Sequence, residues 1–285
     1  MFEAPRLLVK RWLSRCSRRV IGPHACGVAV RTERHVLLVD PADFGVGRHL
    51  RFNGRYAEGE LARLRPLVGD ADDVLVVGGH VGALALPLSE HCRRLDVIEA
   101  NPRSLELLRH NVRLNARDNI TVHGIAAGDR DGDINFLAAT ANSGGSKIAP
   151  RRVGFRYRFD APQTVRVPMC RLDDHLGRRT YGLIVMDIEG AETLAMAGMP
   201  RLLERCRHLA VEFVPHHLDD VAGVGVDDFF RPLAGFPHVR FSDDDDVVYE
   251  PDDAINKLRD LHRRRRSDDG ILFSRTLDTV VRRAA

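Results

Sequence analysis

Short apolar runs alternate with amphipathic stretches along most of this chain. Residues 74–77, 95–98, 120–122, 183–186 and 209–214 are near-continuous runs of Val, Leu, Ile and other apolar residues. Runs this short and this apolar read as strands buried on both faces. Between them, apolar positions recur every three or four residues, which predicts helices over 81–92, 102–115 and 191–205. Pro102 stands at the favoured first position of its helix, and Leu105, Leu108 and Val112 share one face of it. Residues 134–137 and 164–167 read as two further strands around a loop rich in Gly, Ser, Arg and Pro. Residues 239–241 and 271–273 read as late strands, with Asp243–Asp246 and Arg263–Arg266 as solvated turns or helix ends. Alternating strands and helices predict an α/β fold of Rossmann-like type, a mostly parallel sheet with right-handed crossovers and helices on both faces.

The chain ahead of this rhythm is patterned differently. Residues 28–30 and 36–39 flank a charged turn and read as a hairpin. Residues 48–53 read as another short strand. Leu61, Leu64 and Leu67, with Gly69 just beyond, predict a helix over 57–68. Residues 1–20 carry Arg6, Lys10, Arg11, Arg15, Arg18 and Arg19 among Leu7, Leu8, Val9, Trp12 and Leu13. They outline a basic amphipathic helix. The first expectation is a solvated helix packed by Leu8 and Trp12, and the second is contact with a membrane surface or a partner. The chain therefore divides into a lead-in, 1–69, and an α/β domain, 70–285.

Composition narrows the class. A chain of 285 residues with 44% hydrophobic content can bury one large α/β core with additions. Its 43 basic and 40 acidic residues leave a net charge of +3, too even for a nucleic-acid binder. No apolar run approaches the ~18 residues of a membrane span, and no cleaved leader is expected from the first residues. The five cysteines are dispersed, with no Cys-x-x-Cys pair, which suits a reducing, cytoplasmic setting and predicts no metal site built on cysteine.

The candidate chemistry lies at the strand ends, where open α/β sheets bind ligands. The first core run ends in Gly78-Gly79-His80-Val81-Gly82 and the second in Glu99. A glycine turn followed by an acid at the next strand tip suits a ribose-containing cofactor. His80 stands where a dinucleotide motif needs a glycine to admit the pyrophosphate, so S-adenosylmethionine, which has no phosphate, is favoured over NAD or FAD. Gly124–Ala126, Asp187, Glu189, Glu212, His216 and His217 occupy the other strand ends. Asp187, Glu189 and Glu212 would cluster beside the cofactor; Asp187 is the first candidate for a general base, then Glu212 or His216. Asp187 or Glu189 could instead cap the next helix. A divalent metal on the three carboxylates is the lesser reading, and no metal ligand is assigned. Ser143, Ser146 and Lys147, in the loop 141–160, are candidate substrate contacts.

Asp187-Ile188-Glu189-Gly190-Ala191-Glu192 resembles the Asp-x-Glu-Gly-Ala-Glu signature of FkbM-type S-adenosylmethionine-dependent methyltransferases. In the same order, Gly54–Glu58 is similar to the family's Gly-x-Tyr-Glu element, with one extra residue. Val77–Gly82 is similar to its glycine motif, and Glu99-Ala100-Asn101-Pro102 to its Glu-Pro-x-Pro turn. Asn111 and Asn115 fall where it has paired asparagines. Ala126–Asp129 is similar to its Ala-Leu-Gly-Asp turn, Asn142–Ser146 to its Gly/Ser loop and Arg171–Asp174 to its Leu-Asp strand exit. The resemblance covers roughly residues 50–275.

It implies a seven-stranded class I methyltransferase fold with an antiparallel last strand. It implies S-adenosylmethionine as methyl donor, S-adenosylhomocysteine as product, and O-methylation of a sugar or polyketide-like acceptor. N-methylation of a peptide side chain is the alternative. Carried over by position, Gly78, Gly79, His80 and Gly82 would hold the methionine part. Glu99 would bind the ribose within the turn that continues through Ala100 and Asn101, and Ile125 and Ala126 would flank the adenine. Asp187 completes the cofactor rim. Val76 departs from the family, which usually has an acid there; this keeps a cofactor-binding but catalytically silent partner protein in view. A nicotinamide oxidoreductase is the other rival. The acceptor is expected to be a small molecule, glycan or peptide, and the arginine-rich helical surfaces are compatible with a homodimer.

Overall fold

The structure is a computed structural model and describes residues 3–277; the outer ends of both expected segments, 1–2 and 278–285, lie outside the described residues. Eight strands form the main sheet: β1 (Asp73–Val77), β2 (Arg94–Ile98), β3 (Ile120–His123), β4 (Leu183–Met186), β5 (His208–Phe213), β6 (His238–Phe241), β7 (Asp244–Tyr249) and β8 (Asp268–Ser274). Their spatial order is β7-β6-β8-β5-β4-β1-β2-β3. β1 to β5 are parallel to their core neighbours, and β8 runs antiparallel between β5 and β6. This is the expected seven-stranded, doubly wound class I order with an antiparallel last strand, extended at one edge by β7. The alternating side chains of β1 explain its all-apolar run. Val74 and Val76 join the core on one face, and Leu75 and Val77 join the core on the other.

Several local expectations are corrected. Residues 48–53 belong to a helix, Val46–Asn53, not a strand. Val46 and Leu50, one helical turn apart, are buried, and the Asp43 carboxylate accepts the N–H groups of Gly45 and Gly47 at the helix start. The helix expected over 81–92 shortens to Ala85–Ser89. That over 191–205 divides into Glu192–Ala197 and Pro200–Arg205, because Pro200 starts a new helix. Asp244–Asp246 are not in a turn; they lie in β7, paired with β6. Acids on an edge strand discourage further pairing. The strands at 134–137 and 164–167 extend to Gly132–Ala138 and Gln163–Cys170, and with the short strands Ala126–Ala127 and Lys147–Ile148 they form a separate four-stranded sheet. The N-terminal helix, Glu3–Ile21, is present. However, Leu8 and Trp12 do not pack it: they are exposed, and buried Ser14 with half-buried Leu7 and Lys10 faces the body. Among the described residues, no helix is long and apolar enough to cross a membrane.

The lead-in hairpin, Val28–Arg31 with Val36–Val39, is tied to the core by the two asparagines of helix Pro102–Leu114 and its cap. Asn111 accepts the N–H of Leu38 (2.6 Å) and donates to the carbonyls of Leu38 (3.0 Å) and Val81 (2.8 Å). Asn115 accepts from the N–H of Val36 (3.0 Å) and donates to its carbonyl (2.8 Å). Amides two strand positions apart thus replace a neighbouring strand along the hairpin's free edge. Asn111→Ala is expected to lower stability by about 2 kcal/mol or more, since it strips partners from several enclosed backbone groups. A urea midpoint equal to the wild type would show that this edge is held by something else.

Candidate active site

Register places the chemistry. Val77 pairs with Ile98 and with Met186, and Met186 pairs with Val211. The next residues on these strands are Gly78, Glu99, Asp187 and Glu212, which therefore stand along one rim of the sheet. A cavity of about 340 Å³ opens there. Gly78, Gly79, His80, Glu99, Ala100, Ile125, Ala126, Asp187 and Glu189 all line it. Ser143 and Ser146 close it from the loop, and Tyr56 and Glu60 from the lead-in. Gly82 does not line it; it lies behind the turn, against Leu108. Asn101 does not line it either. Its side chain caps the following helix by accepting from Arg103 N–H and donates to Ser146 Oγ (3.0 Å).

The glycine turn is shaped by its neighbours. Gly78 has φ +101°, and a Cβ there would lie 1.9 Å from the backbone oxygen of Asp187. The first turn and the tip of β4 therefore touch, which only glycine permits. His80 also has positive φ, 48°. Its N–H donates to Glu99 Oε2 (2.6 Å), and Asn101 N–H donates to Glu99 Oε1 (2.7 Å). Glu99 thus ties the two strand exits together. Burial pushes its carboxyl up to about 7, against the opposing pull of the N–H groups of Asn101 and His80.

On the side of the loop, Ser143 Oγ donates to Asp43 Oδ2 (2.8 Å) and therefore accepts from His80 Nε2 (2.7 Å). This fixes the proton of His80 on Nε2. Burial holds the imidazole below its ordinary pKa and keeps it neutral. Its Nδ1 is then a buried acceptor with no donor among the described residues. Such an orphan at a cavity wall fits a ligand that brings an N–H or an ordered water. Ser146, by contrast, is saturated: its hydroxyl donates to the Ser143 carbonyl and accepts from Asn101 and Ala139. It holds the loop and has no hydrogen bond left for a substrate.

The acids form a second centre. Asp187 is open to the cavity, although protein surrounds it, and it shares a hydrogen bond with Glu212, which stands behind it. Burial, then the charges of neighbouring carboxylates, pushes both groups well above the ordinary carboxylate range. Two buried carboxylates in contact retain a proton between them. Glu189, at φ +57°, accepts from Lys147 Nζ (2.9 Å). Lys147 also donates to His217 Nε2 (3.0 Å), and His217 Nδ1 lies 3.9 Å from Glu212. Burial and then the Lys147 charge hold His217 down to about 2, so it is no base near neutrality. Glu192 accepts from the N–H groups of Ile188 (3.2 Å) and Gly190 (3.1 Å) and clamps the turn that carries Asp187 and Glu189. Neither Asp187 nor Glu189 caps the helix.

The structure therefore brings Asp187, Glu189 and Glu212 together, with Lys147 drawn in from the loop. His216 packs its ring on His217, with centroids 4.3 Å apart, tilts over Tyr157, and lines a neighbouring cavity with Glu189 and Lys147. His217 is the buried one, because the helical turn Pro215–His217 points it inward. Sequence reasoning missed Asp43 and Glu60, and gave His217 a strand-end place but no role. Glu60 reaches the cavity, while Glu58, in the Gly-x-Tyr-Glu-like element, forms an exposed ion pair with Arg55. Glu60 sits in the first turn of the helix Glu58–Leu64, and no spacing in the sequence marked it for the cavity. With Glu189 neutralised by Lys147, the three-carboxylate metal reading loses a ligand, and among the described residues no group of three or more His, Cys, Asp or Glu is arranged to hold a metal.

A class I sheet order, a glycine turn, an acid at the second strand tip and a carboxylate pair at the fourth and fifth define an α/β site for a nucleoside-type cofactor. The profile of the methyltransferase FkbM domain matches residues 77–252, and the chain belongs to that family. It is similar to 2-O-methyltransferase NoeI of Sinorhizobium fredii (strain NBRC 101917 / NGR234), with 29% identity over 138 residues, 44% of this chain and 55% of that protein. The chain spans about half the length of this curated relative. Among solved structures it is similar to the methyltransferase FkbM of Methylobacillus flagellatus KT (TM-score 0.39, 18% identity, 72% of this chain and 44% of that one). It is also similar to Trm5b of Pyrococcus abyssi (TM-score 0.45, 11% identity, 89% and 57%).

Proposed function

We propose that this chain transfers a methyl group from S-adenosylmethionine to a hydroxyl oxygen of a sugar or polyketide-like small molecule. The observation that carries this reading is the single rim on which the glycine turn, Glu99 and Asp187 face one cavity, with Glu212 behind Asp187. The name of the 2-O-methyltransferase relative adds support for oxygen as the acceptor atom. The sulfonium of the bound donor supplies an already activated methyl group. The protein's own work is then to align the hydroxyl, exclude water and take one proton. Asp187 is the proton acceptor, with Glu212 behind it as the second site of the shared proton. Glu99 accepts the ribose hydroxyls and braces the turn. Lys147 and Glu189 position the acceptor side.

Val76 lies in the cavity wall, at the position where the family resemblance leads one to expect an acid. The bare Nδ1 of His80, in the same wall, offers the donor's ammonium or a water the acceptor that Val76 lacks. Asp43 acts through Ser143 to keep that nitrogen unprotonated.

Titration calorimetry with S-adenosylmethionine, S-adenosylhomocysteine and NAD tests the reading. Binding of the first two without the third is expected; failure of both would remove the methyl-transfer reading. Glu99→Gln is expected to weaken S-adenosylmethionine by about 1–3 kcal/mol, the worth of a charge-assisted acceptor. The wild-type affinity should rise with pH through about 7, as the Glu99 carboxyl ionises and can accept the diol. The variant should lose that part of the pH dependence. Identical pH profiles for the two proteins would detach Glu99 from the ribose.

A further inference from the structure

The N-terminal helix Glu3–Ile21 presents a face that nothing in the described residues covers. Leu8 (49% exposed), Val9 (55%), Trp12 (63%) and Val20 (86%) follow one another at helical spacing and form an outward stripe. Arg15 lies along one margin of it and Arg6 along the other, with Arg19 within its width near the C-terminal end; all three are exposed and form no ion pair among the described residues. The opposite face is committed to the protein. Ser14 is buried, Ser17 Oγ donates to the Pro41 carbonyl (2.7 Å), and Arg18 approaches Asp40 (3.6 Å). Leu7 and Lys10 line a second cavity, of about 170 Å³, whose wall includes Glu189 and Asn142 of the first. The helix also packs against the turn Phe155–Tyr157, in a segment with exposed Val153, Phe155, Arg151, Arg152 and Arg158.

We propose that this helix seats the protein on an anionic lipid surface, lying in the interface with its stripe in the lipid and its arginines on the headgroups. An apolar stripe with an indole near its centre and unpaired guanidinium groups at its margins matches that surface in both polarity and charge. A protein partner would need acidic groups placed along both edges to match these arginines; the indole within the stripe favours the lipid interface. Seated this way, the helix brings the second cavity, and the acceptor side of the site with it, next to the membrane. The docking stands apart from the methyl-transfer reading.

Trp12 is the only tryptophan in the chain, so its fluorescence reports on this face alone. With the full chain, mixed phosphatidylglycerol/phosphatidylcholine vesicles are expected to shift its emission to the blue and to carry the protein down on sedimentation, whereas pure phosphatidylcholine does neither. High salt should reverse both effects. Arg15→Glu with Arg19→Glu should weaken partition about tenfold or more with an unchanged unfolding temperature. The proposal is overturned by no binding to anionic vesicles, by sedimentation without a Trp12 shift, or by equal partition of the double variant. A blue shift that grows with protein concentration in the absence of lipid would assign the face to a second copy and overturn it too. Failure to bind S-adenosylmethionine would refute the site reading and leave the vesicle result standing.

Discussion

Replacing Asp187 with Asn is expected to reduce methyl transfer by about 10²- to 10⁴-fold, the usual worth of a positioned general base, while S-adenosylmethionine still binds. The change is nearly isosteric, and the main-chain contacts of the turn, including Asp187 N–H to the Val77 carbonyl, stay in place. What is lost is the acceptor for the hydroxyl proton. His217 cannot replace it, because burial and Lys147 hold it neutral and weakly basic. Single-turnover kinetics on any accepted acceptor, with calorimetry of the same variant, separates the two quantities. Full activity would transfer the base role to Glu212.

The same pair makes a stability prediction. Burial and mutual repulsion raise both carboxyls above the values they have in the unfolded chain. Between the ordinary carboxylate range and those raised values, the folded state holds more protons than the unfolded state. Stability therefore falls as pH rises through that window. Asp187→Asn removes one of the two charges, so its melting temperature should fall less steeply with pH than the wild type's. Parallel curves would show that the pair does not share a proton. The rate should move the other way, rising with pH as the pair gives up that proton.

Replacing Gly78 with Ala is the second large effect. The new Cβ would fall 1.9 Å from the backbone oxygen of Asp187 and 2.9 Å from its carbonyl carbon, at a φ of +101°. No side-chain rotation relieves a clash with backbone. Either the glycine turn or the tip of β4 must move, and the two together wall the cavity and carry Asp187. A loss of about 2–4 kcal/mol of stability is expected from strain and misfit, with cofactor affinity falling beyond measurement. Gly235→Ala is the control: a Cβ there meets nothing within 4 Å, and a change within about 0.5 kcal/mol is expected. Near-wild-type stability and binding in Gly78→Ala would mean that the turn tolerates a different path.

Much of the fold was legible because buried parallel strands must be apolar on both faces. Val74–Val77 and Leu183–Met186 show this in the bare sequence, as Glu99 and Asp187 show their positions at strand ends. The misreadings share one cause. Residues 48–53 and the Asp243–Asp246 run carry weak periodic patterns, and each was decided by a specific contact that periodicity does not register: the Asp43 carboxylate that starts one helix, and the strand β6 that pairs with β7. The different settings of His216 and His217 were hidden for a similar reason. Adjacent histidines look alike in sequence, and only the turn at Pro215 sends one inward to Lys147.

The sequence by itself determined the α/β class, the strand order's raw material, the glycine turn with an acid at the next strand end, and the carboxylates at the later strand ends. These follow from local rules: period, turn chemistry and the cost of burying a charge away from a site. The tertiary structure alone decided which polar groups meet. It set Ser143 between His80 and Asp43, 63 and 100 residues away along the chain, paired Lys147 with Glu189 and His217, and placed Glu212 behind Asp187. Those contacts depend on strand register and loop path, which join residues far apart in the chain and leave no periodic trace in it. The proton affinities at the site depend on the same contacts, because burial and neighbouring charge set them once the chain has folded.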